Sequence, residues 1–354
     1  MRRRNLLGGN SIEYVFSAQS TSVSVGYNSS STYVNITSTA NGSNIGYSVV
    51  SYDGTVVTSV ATAATSVTIY YSDNSTFDQR SGNVVLKQDD SNKTITISVS
   101  QSAHPLDLGY EGILLDGANN KYGYIEIGSE VSFSNEPSWA TVTYLSSGYI
   151  RVATKSSNNA STARTATITI SAGSQSTSLT IIQLPNNYHS RGYITIGGLN
   201  WAIKNVGASS VKDDGNYYMY GKGSRVYTYG DSMYEGIEDP LDSSLDTATQ
   251  VMGSGWRMPT ENECRALTGN SSYYWVSYNN VNGCVFNSNG NVLFFPAAGW
   301  YNDGSLRNYG NVSYLWSSTP INKYNAYYML FYSGRRLVYE GGRHAGYPVR
   351  GVQS

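Results

Sequence analysis

The side chains able to do metal or nucleophilic chemistry are few and poorly spaced for it. His104, His189 and His344 are scattered, and no His-x-x-x-His or Cys-x-x-Cys sets two ligands on one element. Cys264 falls in a segment read as a helix and Cys284 in one read as a strand. Both are expected as buried thiols rather than as a nucleophile working with a remote histidine. No catalytic activity, metal or cofactor is therefore expected. A different chemistry is written between Tyr324 and His344, where Tyr324, Asn325, Tyr332, Arg335, Arg336, Tyr339, Arg343 and His344 alternate with the apolar Ala326, Leu330, Phe331 and Val338. Tyrosine and arginine supply large contact area with few rotamers to freeze. Ring faces stack on sugars, while guanidinium and amide groups reach hydroxyls. These eight residues are the candidate ligand-binding surface. Tyr332, Arg335, Arg336, Tyr339 and Arg343 are expected on one exposed face, with Leu330, Phe331 and Val349 pointing inward.

The elements that must position this surface are mostly strands. A chain of 354 residues exceeds one ordinary domain. Residues 13 to 103 alternate polar and apolar at period two, as in Tyr33-Val34-Asn35-Ile36-Thr37 and Thr94-Ile95-Thr96-Ile97-Ser98-Val99, and predict a β-sandwich. A second unit over 107–184 repeats it. Arg80-Ser81-Gly82-Asn83-Val84-Val85-Leu86, closing at Gln101, is echoed by Arg164-Thr165-Ala166-Thr167-Ile168-Thr169-Ile170, closing at Gln183. Leu184-Pro185-Asn186-Asn187 reads as a linker to a third domain over 190–354. There Thr260-Glu261-Asn262-Glu263 is a capping box that starts a helix, and Asp246 caps a second one. Trp139 and Trp256 follow turn residues and are expected to be largely buried.

Composition narrows the functional classes. Charged residues are 13% of the chain, while Tyr supplies 32 residues and Gly 36, a profile closer to β-rich adhesion modules than to helical cytosolic enzymes. A net charge of −1 offers no general attraction to nucleic acid or anionic membrane. Arg2, Arg3 and Arg4 form the one basic cluster. The residues after them lack the apolar stretch of a secretory signal, so synthesis in a host cytoplasm is expected, with residues 1–12 as an anchoring arm.

Several spaced fragments carry a family resemblance. Ile196-Gly197-Gly198-Leu199-Asn200-Trp201, Gly253-Ser254-Gly255-Trp256-Arg257-Met258-Pro259-Thr260, Pro296-Ala297-Ala298-Gly299-Trp300, Leu315-Trp316-Ser317-Ser318-Thr319 and Gly346-Tyr347-Pro348-Val349-Arg350-Gly351-Val352 come in order over 190–354. This region resembles the Fibrobacter-type major paralogous domain, a bacterial and phage relative of the C-type lectin fold. Calcium-dependent sugar binding does not follow. The Glu-Pro-Asn, Gln-Pro-Asp and Trp-Asn-Asp ligand motifs are missing, and Tyr301-Asn302-Asp303-Gly304 reads as a turn. The paired closing hairpins, with Pro137-Ser138-Trp139 before a strand of the second copy, resemble BACON domains, which are immunoglobulin-like modules; the first copy lacks the Pro-x-Trp element. Lectin-like domains of this type are also targets of diversity-generating retroelements, and the Tyr- and Asn-rich C-terminus is compatible with that.

Together these resemblances imply a mainly β chain: two immunoglobulin-like sandwiches, then an α+β lectin-like domain. The function they imply is a bacteriophage virion component, a head or tail fibre or decoration subunit. It would dock on virion proteins through its arm, form a homo-oligomer and contact a host-surface glycan or protein. The alternatives are a Bacteroidetes surface adhesin and the targeting module of a polysaccharide-degrading system.

Overall fold

The period-two alternation of the first hundred residues resolves into two facing sheets. The computed structural model describes residues 11–221 and 241–353. One sheet runs Tyr14–Ala18, Ser30–Ala40, Ser66–Tyr71, Val57–Thr62, and the other Ser22–Val25, Thr94–Gln101, Arg80–Gln88, Tyr47–Tyr52. Val34, Ile36, Val67 and Ile69 of the first meet Val84, Leu86, Ile97 and Val99 of the second in a dry core, while the intervening polar residues face solvent. This sandwich belongs to one compact unit, Met1–Leu106 with Ser171–Ser176; Asp107–Ile170 and Thr177–Ser354 form the other.

In the second unit a three-stranded sheet, Tyr122–Glu126, Tyr149–Thr154 and Ala140–Leu145, accompanies a seven-stranded one. Within the seven-stranded sheet, Gly112–Leu115 pairs in parallel both with Gln175–Gln183, Gly112 opposite Thr180, and with Ser272–Tyr278, Gly112 opposite Val276. All four residues of this Gly-Ile-Leu-Leu strand are buried, as expected of a strand with neighbours on both sides. The sheet therefore continues from the second sandwich region into the C-terminal region through Val281–Ser288 and Asn291–Pro296, and contacts cross the segment read as a linker at 184–187. The chain is mostly β-sheet, with its helices confined to the C-terminal part among the described residues.

The motif fragments turn out to be framework. Helix α1, Thr247–Met252, is capped by Asp246, whose carboxylate accepts from the Thr249 amide. Helix α2, Glu261–Asn270, starts at the expected capping box of Thr260 and Glu263, and Arg257 holds Glu263 through both guanidinium ends. Trp201 and Trp316 are buried, and the Trp316 indole donates to the Tyr218 carbonyl at 2.9 Å. Arg350 is fully enclosed. It donates to Asn205 Oδ1 at 2.9 Å, Ala202 O at 2.9 Å and Phe294 O at 3.0 Å, and lies 4.3 Å over the Phe295 ring. Strands Tyr193–Ile196, Leu199–Ala202 and Val352–Gln353 form one sheet, so the two ends of the C-terminal region close on each other. Cys264 and Cys284 are free and buried.

Trp139 and Trp256 are half-buried, covered without being central to a core. Trp139 lies at a strand entry and is covered on one face by the Arg164 guanidinium, 4.7 Å from the ring centre. Trp256 packs against the edge of an apolar cluster instead of filling its centre.

Both halves of the sequence repeat encode the same polar lock. In the first copy, Arg80 Nε donates to Gln101 Oε1 (2.8 Å), and the Gln101 amide donates to Tyr27 O (3.2 Å) and Ser72 O (2.6 Å). In the second, Arg164 Nε donates to Gln183 Oε1 (2.7 Å), and the Gln183 amide donates to Gly117 O and Ser156 O (both 3.0 Å). Asn74 and Asn158 play matching parts beside them. A side-chain amide can be fully enclosed only where its own donors and acceptor are met, as they are for the glutamine that ends each closing strand.

Candidate functional site

The candidate surface forms on a hairpin, Asn325–Tyr332 with Arg335–Gly342, turned by Ser333-Gly334 with Gly334 at φ +72°. Strand Ser313–Pro320 pairs on its inner side, leaving Arg335–Gly342 at the edge of the sheet. Residues opposite one another across antiparallel strands share a face. The register sets Tyr332 opposite Arg335, Leu330 opposite Leu337 and Tyr328 opposite Tyr339. The other face carries Phe331 opposite Arg336, Met329 opposite Val338 and Tyr327 opposite Glu340.

Each face has its own core. Leu315, Met329 and Phe331 join the cluster that includes Cys264 and Leu267 of α2, with Val338 packed against it. Trp316, Tyr328 and Tyr347 join a second cluster, with Tyr314 and Trp300 against it; the Trp316 and Tyr347 ring centres lie 4.3 Å apart. Burial first, then the neighbouring Tyr314, pushes the Tyr328 hydroxyl up to about 12. Toward the edge this second face opens to solvent, with Leu337 37% and Tyr339 58% exposed, Arg335 exposed and Tyr332 half-buried.

Tyr332, Arg335 and Tyr339 therefore share a face, and Phe331 and Val349 are buried as expected. Leu330 is partly buried and packs against the second cluster. Arg336 departs from the expected set. It lies on the opposite face, its guanidinium 5.6 Å over the Tyr273 ring. Arg343 departs further, at 2% exposure. Past the end of the strand it turns inward, 4.9 Å over the Tyr220 ring, and its Nε donates to the Asn325 carbonyl at 3.2 Å. Tyr324 is 55% exposed at the far end of the hairpin, with Asn325 and His344 half-buried near it. Arg2, Arg3 and Arg4 lie outside the described residues.

Sequence reasoning missed Leu337, although its period-two position between Arg335 and Tyr339 marks it. It also missed a groove of about 540 Å³ that runs on from Tyr332 and Ser333, walled by Tyr110, Trp275, Asn282 and Val312. The Tyr110 hydroxyl donates to Asn282 Oδ1 (2.8 Å), and Tyr273 donates to the Tyr332 carbonyl (2.7 Å). Glu111 fixes the hairpin tip by accepting from the amides of Trp275 (2.6 Å) and Gly334 (3.1 Å). These partners are too far apart in sequence for any local signal.

A second polar cluster joins Asp116, His189 and Tyr278. His189 Nε2 lies 2.7 Å from Asp116 Oδ1, to which the Tyr278 hydroxyl also donates at 2.5 Å. Burial alone would raise the Asp116 carboxyl, but the hydrogen bonds from His189 and Tyr278 outweigh it and hold the group at about 2. Burial pushes the Cys264 and Cys284 thiols well up, the opposite of activation. Asp303-Gly304 forms the tight turn expected of it, both residues at positive φ between Trp300–Asn302 and Ser305–Arg307. Among the described residues no three His, Cys, Asp or Glu side chains converge as a metal site. None of the helices there is long and apolar enough to cross a membrane.

The fold is that of a multidomain, largely β-sheet protein, consistent with a binding or adhesion module. The family model described as "BACON: Putative binding domain, N-terminal" matches residues 48–102 and 129–184, so the N-terminal half carries BACON-domain sequence in both copies of the repeat. No curated protein matches the chain. Among solved structures it is similar to an endo-fucoidan hydrolase of glycoside hydrolase family 107 (13% identity, 50% of this chain and 29% of that one, TM-score 0.22). It is also similar to a three-domain fragment of titin (7%, 49% and 65%, TM-score 0.27) and to zebrafish RET cadherin-like domains 1 to 4 (8%, 49% and 51%, TM-score 0.24). The chain spans less than two thirds of each of these, and likeness at these scores carries no assignment.

Proposed function

We propose that this protein is a non-catalytic adhesin. In this reading its C-terminal, lectin-like region takes a surface glycan on the outer face of the terminal hairpin, and the BACON-bearing sandwiches act as spacers. The observation that carries it is the alignment of Tyr332, Arg335, Leu337 and Tyr339 on one face of an edge hairpin whose inner strand is locked into two cores. Tyrosine faces and a guanidinium at that spacing suit sugar rings and their hydroxyls, and the groove beyond Tyr332 offers room for a chain to continue.

The test is binding of the full chain to immobilised surface polysaccharides and to whole cells. Tyr339→Ala with Arg335→Ala should weaken binding by at least about tenfold, roughly 1.4 kcal/mol, at an unchanged melting temperature. Arg336→Ala should do less, because that side chain faces the other way. Chelating calcium should change nothing. Undiminished binding by the double variant, or loss of binding on chelation, refutes the reading. The same surface would serve a virion fibre or decoration subunit docked through residues 1–12. Recovery of its peptides from purified virions decides for that role, and recovery from cell envelopes alone decides for the adhesin.

A further inference from the structure

We propose that the outer edge of strand Arg335–Gly342 pairs antiparallel with the same strand of a second copy of this chain, centred on Val338. Three observations lead there. Among the described residues no strand pairs with this edge. It is eight residues long, contains no proline, and carries two exposed apolar side chains, Leu337 and Tyr339. Soluble proteins ordinarily blunt such an edge with proline, bulges or charge; here only Arg335, Arg336 and Glu340 do so, which restricts pairing to a partner of matching charge.

The backbone phase fits. The two-residue loop makes Tyr332 and Arg335 a hydrogen-bonded pair, so Arg335, Leu337 and Tyr339 spend their amides and carbonyls on the neighbouring strand. Those of Arg336, Val338 and Glu340 then point outward, and these three form the ladder for a partner.

The side chains choose the register. Centred on Val338, antiparallel pairing sets Arg336 opposite Glu340 of the second copy, and by symmetry Glu340 opposite its Arg336. On the other face Leu337 meets Tyr339, again twice. Opposite charges and apolar pairs directly across a ladder are both stabilising. Centred on Leu337 instead, Glu340 would face Gly334 and Arg336 would face Val338, leaving both charges unmatched. Such a pair keeps the same sheet face of both copies on one side. Two sets of Tyr332, Arg335 and Tyr339 would then be displayed together.

Sedimentation equilibrium on the full chain tests this without any ligand, so it stands or falls separately from the glycan reading. The wild type should show twice the chain mass. Glu340→Arg alters an exposed residue and should shift the protein to monomer by setting two arginines against each other; Arg336→Glu should do the same. The double variant Arg336→Glu with Glu340→Arg restores opposite charges and should return the dimer. A wild type monomeric up to its solubility limit overturns the proposal. So does a dimer indifferent to Glu340→Arg, or a double variant that stays monomeric while its circular dichroism and melting temperature match the wild type.

Discussion

Replacing Gln183 by Met removes the amide from the second polar lock at nearly constant volume. The bonds lost are those from its Nε2 to Gly117 O and Ser156 O, a long one of 3.4 Å to Ala118 O that adds little, and the one received from Arg164 Nε. Neither of the first two carbonyls is stranded. Gly117 O still accepts from the Asn158 amide, and Ser156 O from Arg164 Nη2. These two losses are therefore worth about 1 kcal/mol each, whereas the charge-assisted bond from Arg164 is worth about 1.5–3 kcal/mol. The expected cost is about 4 kcal/mol. For a unit of this size that is a fall in Tm on the order of 10 °C. All six tryptophans lie beyond residue 107, so indole fluorescence in a urea titration follows the second unit alone. Gln101→Met is the internal replicate. Tyr27 O keeps the Asn74 amide and Ser72 O keeps Arg80 Nη2, so the same cost should appear in the first unit, read by circular dichroism. If either variant loses less than about 0.5 kcal/mol, or the two differ severalfold, the lock is not what the repeated Arg and Gln positions maintain.

Asp116, held at about 2 against an ordinary 3.8, contributes stability that is complete above about pH 4 and is lost as pH falls toward 2. It is worth roughly 2 kcal/mol, and Asp116→Asn should flatten that acid limb of a urea-melt pH series. Asp214 has the opposite sign. Burial, then repulsion from Asp213, lifts it to about 6, so it destabilises the fold increasingly as pH rises from about 4 to 6. Asp214→Asn should gain about 1–3 kcal/mol at pH 7 and nothing at pH 4, and an equal gain at both would refute the assignment. Gly117→Ala would set a methyl 2.3 Å from the Asn186 nitrogen, where backbone has to move, and should abolish cooperative melting of the second unit. Gly54→Ala, with nothing within 4 Å, should leave Tm almost unchanged.

Local patterns were legible where a physical period or a cap wrote them. The sandwich strands, the Thr260 to Glu263 capping box and the Asp246 cap all follow from residues within a few positions of one another. The pairing of Gly112–Leu115 with Ser272–Tyr278 was not, because it spans 164 positions from Gly112 to Val276 and a buried strand carries no alternation to mark it. That one pairing runs the sheet across the segment read as a linker. The turn residues before Trp139 and Trp256 mark the two rings as covered but do not say by what. A ring can be half covered by a guanidinium or by the rim of a cluster.

The hairpin shows how far parity alone reaches. Tyr332 and Arg335 close a two-residue loop, so from there the odd positions 335, 337 and 339 share one face and the even positions 336, 338 and 340 the other. Tyrosine and arginine content marked the segment but not which of its residues share a face: it grouped Arg336, which has even parity, with the odd positions and passed over Leu337, which is one of them. Arg343 lies beyond the strand, where parity no longer applies. Its direction is set by the Tyr220 ring, 123 positions earlier in the chain, which gives the guanidinium a π-face to lie on inside the fold. Composition alone could not separate a display residue from this internal one, since both are arginines among tyrosines. The sorting comes from what lies behind each: solvent for Arg335, the Tyr273 ring for Arg336 and the Tyr220 ring for Arg343. Substitution at Arg335 should therefore act on binding, and substitution at Arg343 first on stability.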